Sequence, residues 1–405
     1  MKRITLLCKV VDNYGDIGFV YRLSRSLKEL YAEQFQLTLV VSNLESFSRL
    51  CPQIDKNLAL QEYNGWTILD WNNEKESAAF INDNFPDVIL ECFQCGRPEW
   101  LDNLLFNEKR QGVLIVNLEY LTAEEWADDF HLLKSGTRSA GVKKINFMPG
   151  FTDKTGGLVL DNEFMESLKD KNAALKKVQD FISEASKKSL EERSDFNVLV
   201  FSYQRDFSYV ARALQDFAHS AGKNIRIFAA PGLSHKSILS AVKDCSNIIV
   251  EELPYLCQTS WDALLCLMDF NFIRGEDSFS RASLSGLPFI WDIYPQEDQF
   301  HLVKLYAFLN RLKPYFEDSD LFDRFSRLSL AYNYDFKESL CPESRSIVEE
   351  NGLDIYTDRD FCFKELLFLL NNYQGLKTSF ALFSKKILSN GNLTLALAEV
   401  LKNYF

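Results

Sequence analysis

Two acidic residues four positions apart, Asp12 and Asp16, sit in the loop Asp12-Asn13-Tyr14-Gly15-Asp16-Ile17-Gly18, where a first apolar run gives way to a helical pattern. Two carboxylates at the mouth of a strand suit a general base or a pair that holds a cation. Asp16 also suits a helix cap, because a short acidic side chain accepts from the free N–H groups of a first turn. Glycines in this loop let a ligand approach the backbone closely, although the dinucleotide pattern G-x-G-x-x-G is absent. A second cluster, Arg274-Gly275-Glu276-Asp277-Ser278, follows the apolar run 270–273 and precedes a helical pattern over 279–285. A helix starting at 276–278 would aim unpaired backbone N–H groups at an anion. The same three residues are equally at home as an ordinary cap and acidic first turn. Arg274 and Arg281 flank the loop and could pair with those carboxylates or with a phosphate.

Other segments are weaker signals. In Asn117-Leu118-Glu119-Tyr120-Leu121-Thr122-Ala123-Glu124-Glu125-Trp126, Thr122 and Glu125 have the spacing of a capping box. Phe147-Met148-Pro149-Gly150-Phe151 and Gly156-Gly157-Leu158 read as loop punctuation near a domain boundary. Cys92-Phe-Gln-Cys95 is a lone C-x-x-C with no second pair, and the four histidines (131, 219, 235 and 301) are dispersed, so neither a metal nor a redox centre is expected.

The elements that must position these residues alternate between strand and helix. The pattern predicts a strand over 4–11, a helix over about 19–33, and strands over 36–41, 88–91 and 113–118. A Lys/Glu-rich helical stretch over 161–195 is expected as a linker. A second alternating region follows, with strands at 196–203, 224–229, 247–251, 270–273 and 288–293 and helices at about 208–219 and 261–268. Residues beyond 304 read as mostly helical. The expected domains are 1–160 (acceptor side), 161–195 (linker), 196–375 (nucleotide-sugar side) and a terminal helical segment, 376–405, that packs back on the first domain. The fold class is α/β with two facing Rossmann-like domains, whose parallel strands carry ligands at their carboxyl ends.

At 405 residues the chain exceeds one ordinary core. Its 46% hydrophobic and 25% charged content are those of a soluble globular protein, and 33 phenylalanines make the cores aromatic. A net charge of −12 argues against unspecific nucleic-acid or anionic-membrane binding. No secretory signal or membrane-length apolar run is seen, and nine unpatterned cysteines suit a reducing compartment, so a cytoplasmic location is expected.

Taken in order, DNYGDIG, NLEYLTAEEW, FMPGF with GGL, LPYLCQ with WDALL, and FNFIRGEDSFSRASLSGLPFIWDIYPQ resemble the EarP family of protein-arginine rhamnosyltransferases, which modify bacterial elongation factor P. The resemblance runs strongly from residue 2 to about 301 and weakly through the helical tail. It implies a GT-B fold, dTDP-β-L-rhamnose as donor, inversion at the anomeric carbon, an arginine of elongation factor P as acceptor, and no cofactor or metal. It also implies Asp16 as the base, Asp12 as a second essential carboxylate, and Glu276 among the catalytic groups. Donor contacts are implied for Tyr14, Gly15, Tyr203, Tyr255, Gln258, Arg274, Gly275, Glu276, Asp277 and Ser278. The family has Phe where Tyr255 stands, and stacking on thymine survives that change. It commonly has Glu where Gln204 stands, and no role is carried over there. Two other readings remain: a nucleotide-sugar transferase with a small-molecule or glycan acceptor, and a non-catalytic nucleotide-sugar-binding protein.

Overall fold

A computed structural model describes residues 1–11, 15–107, 111–353 and 358–404. The chain divides into two compact units, residues 1–161 with 387–405, and residues 162–386.

The first unit is built on an eight-stranded sheet of β1 (Lys2–Cys8), β2 (Phe35–Val41), β3 (Leu60–Tyr63), β4 (Trp66–Asp70), β5 (Val88–Cys92), β6 (Val113–Leu118), β7 (Lys134–Ser135) and β8 (Val142–Phe147), in the order β3-β4-β2-β1-β5-β6-β8-β7. The inner strands run parallel, and β3 and β7 close the edges antiparallel. Alternate residues of a strand point to opposite faces. Ile4, Leu6, Leu37, Leu39, Leu90 and Val116 therefore join one core, while Leu7, Val40, Ile89 and Ile115 join the other. Apolar residues on both faces explain why β5 and β6 read as continuous buried runs.

The last helix, Leu393–Asn403, belongs to this unit. Its Leu393, Leu397, Ala398 and Leu401 are fully buried in the first core. Asn392 fixes the entry, accepting from the Leu160 amide at 3.2 Å and donating to the Leu160 carbonyl at 2.9 Å. Burial of each leucine stabilises by about 1.5–3 kcal/mol. Gly157, at φ +73°, passes so close to the chain that an added Cβ would meet the Gly391 carbonyl at 2.9 Å.

The second unit holds a five-stranded sheet of β9 (Phe196–Val200), β10 (Ile225–Ala229), β11 (Ile248–Glu252), β12 (Phe270–Arg274) and β13 (Phe289–Asp292), ordered β11-β10-β9-β12-β13 and parallel throughout. Behind it lies an aromatic core in which Phe279 stacks on Trp291 at 3.6 Å and Phe308 and Phe380 pack edge-on against Phe279 and Phe289.

Several boundaries differ from expectation, beginning with β1, which ends at Cys8 rather than 11. Residues 162–195 are no linker but part of the second unit. The helices Asn162–Lys169 and Lys171–Val178 bury Phe164, Ala174, Leu175 and Val178 against the helix Gln258–Leu267. Cations of this stretch serve the carboxyl end of that helix: Lys171 donates to the Cys266 carbonyl, and Arg193, which ends the later helix Glu184–Glu192, donates to that of Leu267 at 2.9 Å. Positive charge there also complements the helix dipole. The surface Lys and Glu of this stretch masked its apolar stripe. The second unit extends to Lys386 rather than 375, because Leu376, Phe380 and Phe383 are buried in its core. Finally, the first strand of the second unit ends at Val200, not at 203.

Candidate active site

The carboxyl ends of β1, β5 and β6 gather acidic and aromatic side chains. Asp16 stands in the first turn of the helix Gly15–Tyr31 and is 3% exposed. Its Oδ2 accepts from the Val11 amide at 2.7 Å, and its Oδ1 accepts from the Tyr120 phenol at 3.3 Å. A carboxylate so held keeps one orientation at the end of β1. Its negative charge also helps raise the pKa of the neighbouring Cys8 thiol, after burial. Asp12 and Tyr14 lie outside the described residues, while Gly15 opens the helix.

After β5 the chain takes two consecutive left-handed residues, Phe93 (φ 63°) and Gln94 (φ 51°). A residue other than glycine costs about 1 kcal/mol or more in this region. The turn brings the Phe93 amide to the Leu118 carbonyl at 2.6 Å and stacks its ring on Tyr120 at 4.3 Å and 16°. Gln94 donates to Glu119. Cys92 and Cys95 are both free; burial raises the pKa of the first, and that of the second is pushed up to about 11. Both stay protonated thiols and poor nucleophiles.

Thr122 and Glu125 do not form a capping box. Thr122 instead bonds within a tight turn, its hydroxyl donating to Glu124 at 3.0 Å and accepting from the Glu124 amide at 3.1 Å. Glu125 precedes the short helix Trp126–Phe130 without a side-chain cap.

In the second unit, the carboxyl ends of β9, β12 and β13 present a different chemistry. Arg274 ends β12, its guanidinium 4.7 Å from the Phe201 ring and 4.8 Å from the Tyr203 ring. Its Nε is buried without a hydrogen-bond partner, and no carboxylate pairs with it among the described residues. Asp292 lies directly opposite in register on β13, yet its oxygens are committed elsewhere. They accept from Ser202, from the Tyr203 amide at 2.8 Å and from Arg205 at 2.5 Å. Asp292 thus fixes the loop that carries Tyr203, and Arg205 neutralises it.

Gly275 occupies the N-cap of the helix Glu276–Ser285 at φ 76°, ψ 155°, a conformation that favours glycine, and no side chain caps the helix there. Glu276, Asp277 and Ser278 form the first turn rather than a cap. Asp277 accepts from Gln258 at 3.2 Å, and Ser278 accepts from the Trp261 indole at 3.1 Å. Gln258 is buried in this contact, whereas Tyr255 is 72% exposed. Tyr255 lines a cleft of about 600 Å³ with Gln204, Pro231, Gly232, Leu233 and His235. Gly232 lies beside Arg274, where an added Cβ would stand 3.9 Å from its guanidinium. Sequence reasoning missed Asp292 and Arg205, which form an ion pair 87 residues apart with no local pattern. Among the described residues no group of three or more His, Cys, Asp or Glu could hold a metal ion, and no helix is long and apolar enough to cross a membrane.

Residues 4–399 match the family model described as elongation factor P rhamnosyltransferase EarP. The chain belongs to the EarP family of protein-arginine rhamnosyltransferases. It is 35% identical to the protein-arginine rhamnosyltransferase of Shewanella oneidensis over 352 residues, 81% of this chain and 85% of that one. It is 32% identical to its counterpart in Pseudomonas aeruginosa over 321 residues, covering 75% and 80%. A solved structure described as the structural basis for EarP-mediated arginine glycosylation of translation elongation factor EF-P aligns over the whole of both chains, with a TM-score of 0.56 at 18% identity. The fold is therefore the GT-B type, two Rossmann-like units with a helical carboxyl-terminal segment.

Proposed function

We propose that the enzyme transfers L-rhamnose from dTDP-β-L-rhamnose, with inversion, to an arginine side chain of elongation factor P. The observation that carries this reading is the opposite charge at the two strand ends. One holds Asp16, a buried and oriented carboxylate; the other holds Arg274, a cation that no carboxylate pairs with among the described residues. A guanidinium acceptor needs the first, and a diphosphate leaving group needs the second.

In the reaction, a terminal nitrogen of the acceptor guanidinium attacks the anomeric carbon as the bond to the diphosphate oxygen breaks. A protonated guanidinium is a poor nucleophile, so its proton must leave as the N–C bond forms. Asp16 accepts it, and Asp12 is the second carboxylate that the family resemblance implies. The transition state has oxocarbenium character, and attack opposite the leaving group converts the β-linked donor into an α-linked product. The electron pair of the broken bond leaves with dTDP. Arg274 and the uncapped amides of the Glu276 helix stabilise that charge. Tyr203 supports the diphosphate, and Ser278 and Asp277 lie in the same helix turn. Glu276, Gly15 and Tyr14 are the remaining donor contacts that the family resemblance implies. Tyr255 stacks on the thymine in the neighbouring cleft, with Gln258 positioning Asp277.

Intact mass spectrometry of elongation factor P incubated with the enzyme and dTDP-β-L-rhamnose tests the reading. A gain of one deoxyhexosyl unit, absent with an acceptor Arg→Lys variant and α-linked by NMR, is the expected result. Binding of dTDP without transfer, or a β-linked product, overturns it.

A further inference from the structure

Glu119, immediately after β6, is 8% exposed and therefore buried. Both of its described side-chain donors are neutral amides and both reach Oε1: Gln94 Nε2, and Asn117 Nδ2 at 2.6 Å. Oε2 accepts no hydrogen bond among the described residues. A buried carboxylate normally carries a cation or donors on both oxygens. The neighbouring strand shows the usual solution. Glu91 lies opposite Asn117 in register and is 1% exposed. It receives Arg97 on Oε1 and Lys144 on Oε2 at 2.6 Å. Lys144 feels the field of Glu119 as well, but its hydrogen bond goes to Glu91.

The surroundings of Glu119 are specialised at a cost. Gln94 reaches it only because Phe93 and Gln94 both adopt left-handed backbone, and such strain persists where neighbouring structure and function require it. The Phe93 ring clamps Tyr120, and Tyr120 donates to Asp16. Residues 119 and 120 thus present one carboxylate and orient another.

We propose that Glu119 is a second acceptor-binding carboxylate, whose Oε2 holds the guanidinium of the acceptor arginine while Asp16 takes the proton. This rests on the reading that the acceptor is an arginine. A planar guanidinium offers donors on two edges, so two carboxylates can grip it without competing for one N–H pair. The part of Glu119 is to neutralise the cation and fix which nitrogen faces the donor.

The test is a double-mutant cycle by calorimetry. Glu119→Gln is combined with elongation factor P carrying its acceptor Arg or an Arg→Met replacement, and thermal melting and dTDP binding are measured on the same samples. Glu119→Gln is expected to weaken binding of the native acceptor at least about tenfold, a modest value for a partly buried charge pair. It is expected to leave the Arg→Met acceptor unaffected, to bind dTDP as before, and to melt no lower than the native enzyme. Additive losses, or a lower melting temperature with equal losses for both acceptors, would show a structural residue only and overturn the proposal. Glu119→Asp, which keeps the charge on a shorter stem, should recover part of the binding; no recovery over Gln counts against it. Native enzyme that fails to modify the native acceptor would instead defeat the broader reading, which separates the two failures.

Discussion

Among the described residues, a buried carboxylate at the carboxyl end of β6 has no cation paired with it, whereas a buried guanidinium nitrogen at the carboxyl end of β12 has no carboxylate. Both units place the opposite arrangement one strand away. Glu91 is neutralised by Arg97 and Lys144, and Asp292 by Arg205. The lesson is one of bookkeeping by strand. Charges that hold a fold together come in pairs, whereas the charges proposed to meet a substrate lie among groups of another kind: amides bond Glu119, and aromatic rings surround Arg274.

The comparison breaks most visibly at Asp16. Asp16→Asn keeps the shape and can still accept one hydrogen bond, but it cannot take the acceptor proton. Turnover should fall by about 10³–10⁴, the upper range for a general base, with an unchanged melting curve. Near-native turnover would remove Asp16 from the chemistry.

Asp292→Ala should behave in the opposite sense. It leaves the half-buried Arg205 without its carboxylate, and the cost should approach about 3 kcal/mol, the lower end for breaking a buried pair. Thermal unfolding should show that loss directly, and dTDP binding should weaken because the Tyr203 loop loses its anchor. Intact stability would mean that Arg205 finds another partner.

Arg274→Met retains much of the bulk over Phe201 and Tyr203 while removing the charge. Loss of a charge-assisted contact to diphosphate is worth about 1.5–3 kcal/mol, so dTDP affinity should fall by one to two orders of magnitude at equal stability. Unchanged affinity in a calorimetric titration would dissociate Arg274 from the diphosphate.

Tyr255 should give the smallest effect. It is 72% exposed, so Tyr255→Ala should leave melting unchanged while weakening dTDP by about 1–2 kcal/mol of base stacking. Tyr255→Phe should match the native enzyme. A large loss for Phe would show that the hydroxyl, not the ring, makes the contact.

Much of this was legible in the residues. The alternation of apolar runs with helical patterns fixed the two parallel sheets, because strands buried on both faces must be apolar throughout. The Arg274–Ser278 turn stood out as glycine and charge between strand and helix. That residues 162–195 belong to the second unit did not reveal itself: Lys171 and Arg193 look solvated in sequence, and only the folded chain shows them on the carbonyls of a distant helix. Glu119 was passed over because it lies inside a segment with capping-box spacing, and the bonds that matter come from Gln94 and Asn117, not from Thr122. Asp292 was invisible for a similar reason. Pairings across 87 residues leave no periodicity, and neither does the left-handed turn at Phe93 and Gln94, which lacks the glycine that would have marked it.

The division of charge between the two sheets is tested most directly by titrating dTDP into Asp16→Asn while following transfer to elongation factor P. The account predicts native dTDP affinity with transfer all but abolished, since Asp16 serves the acceptor and Arg274 the donor. Loss of dTDP binding together with transfer would place Asp16 in the donor site and contradict the division.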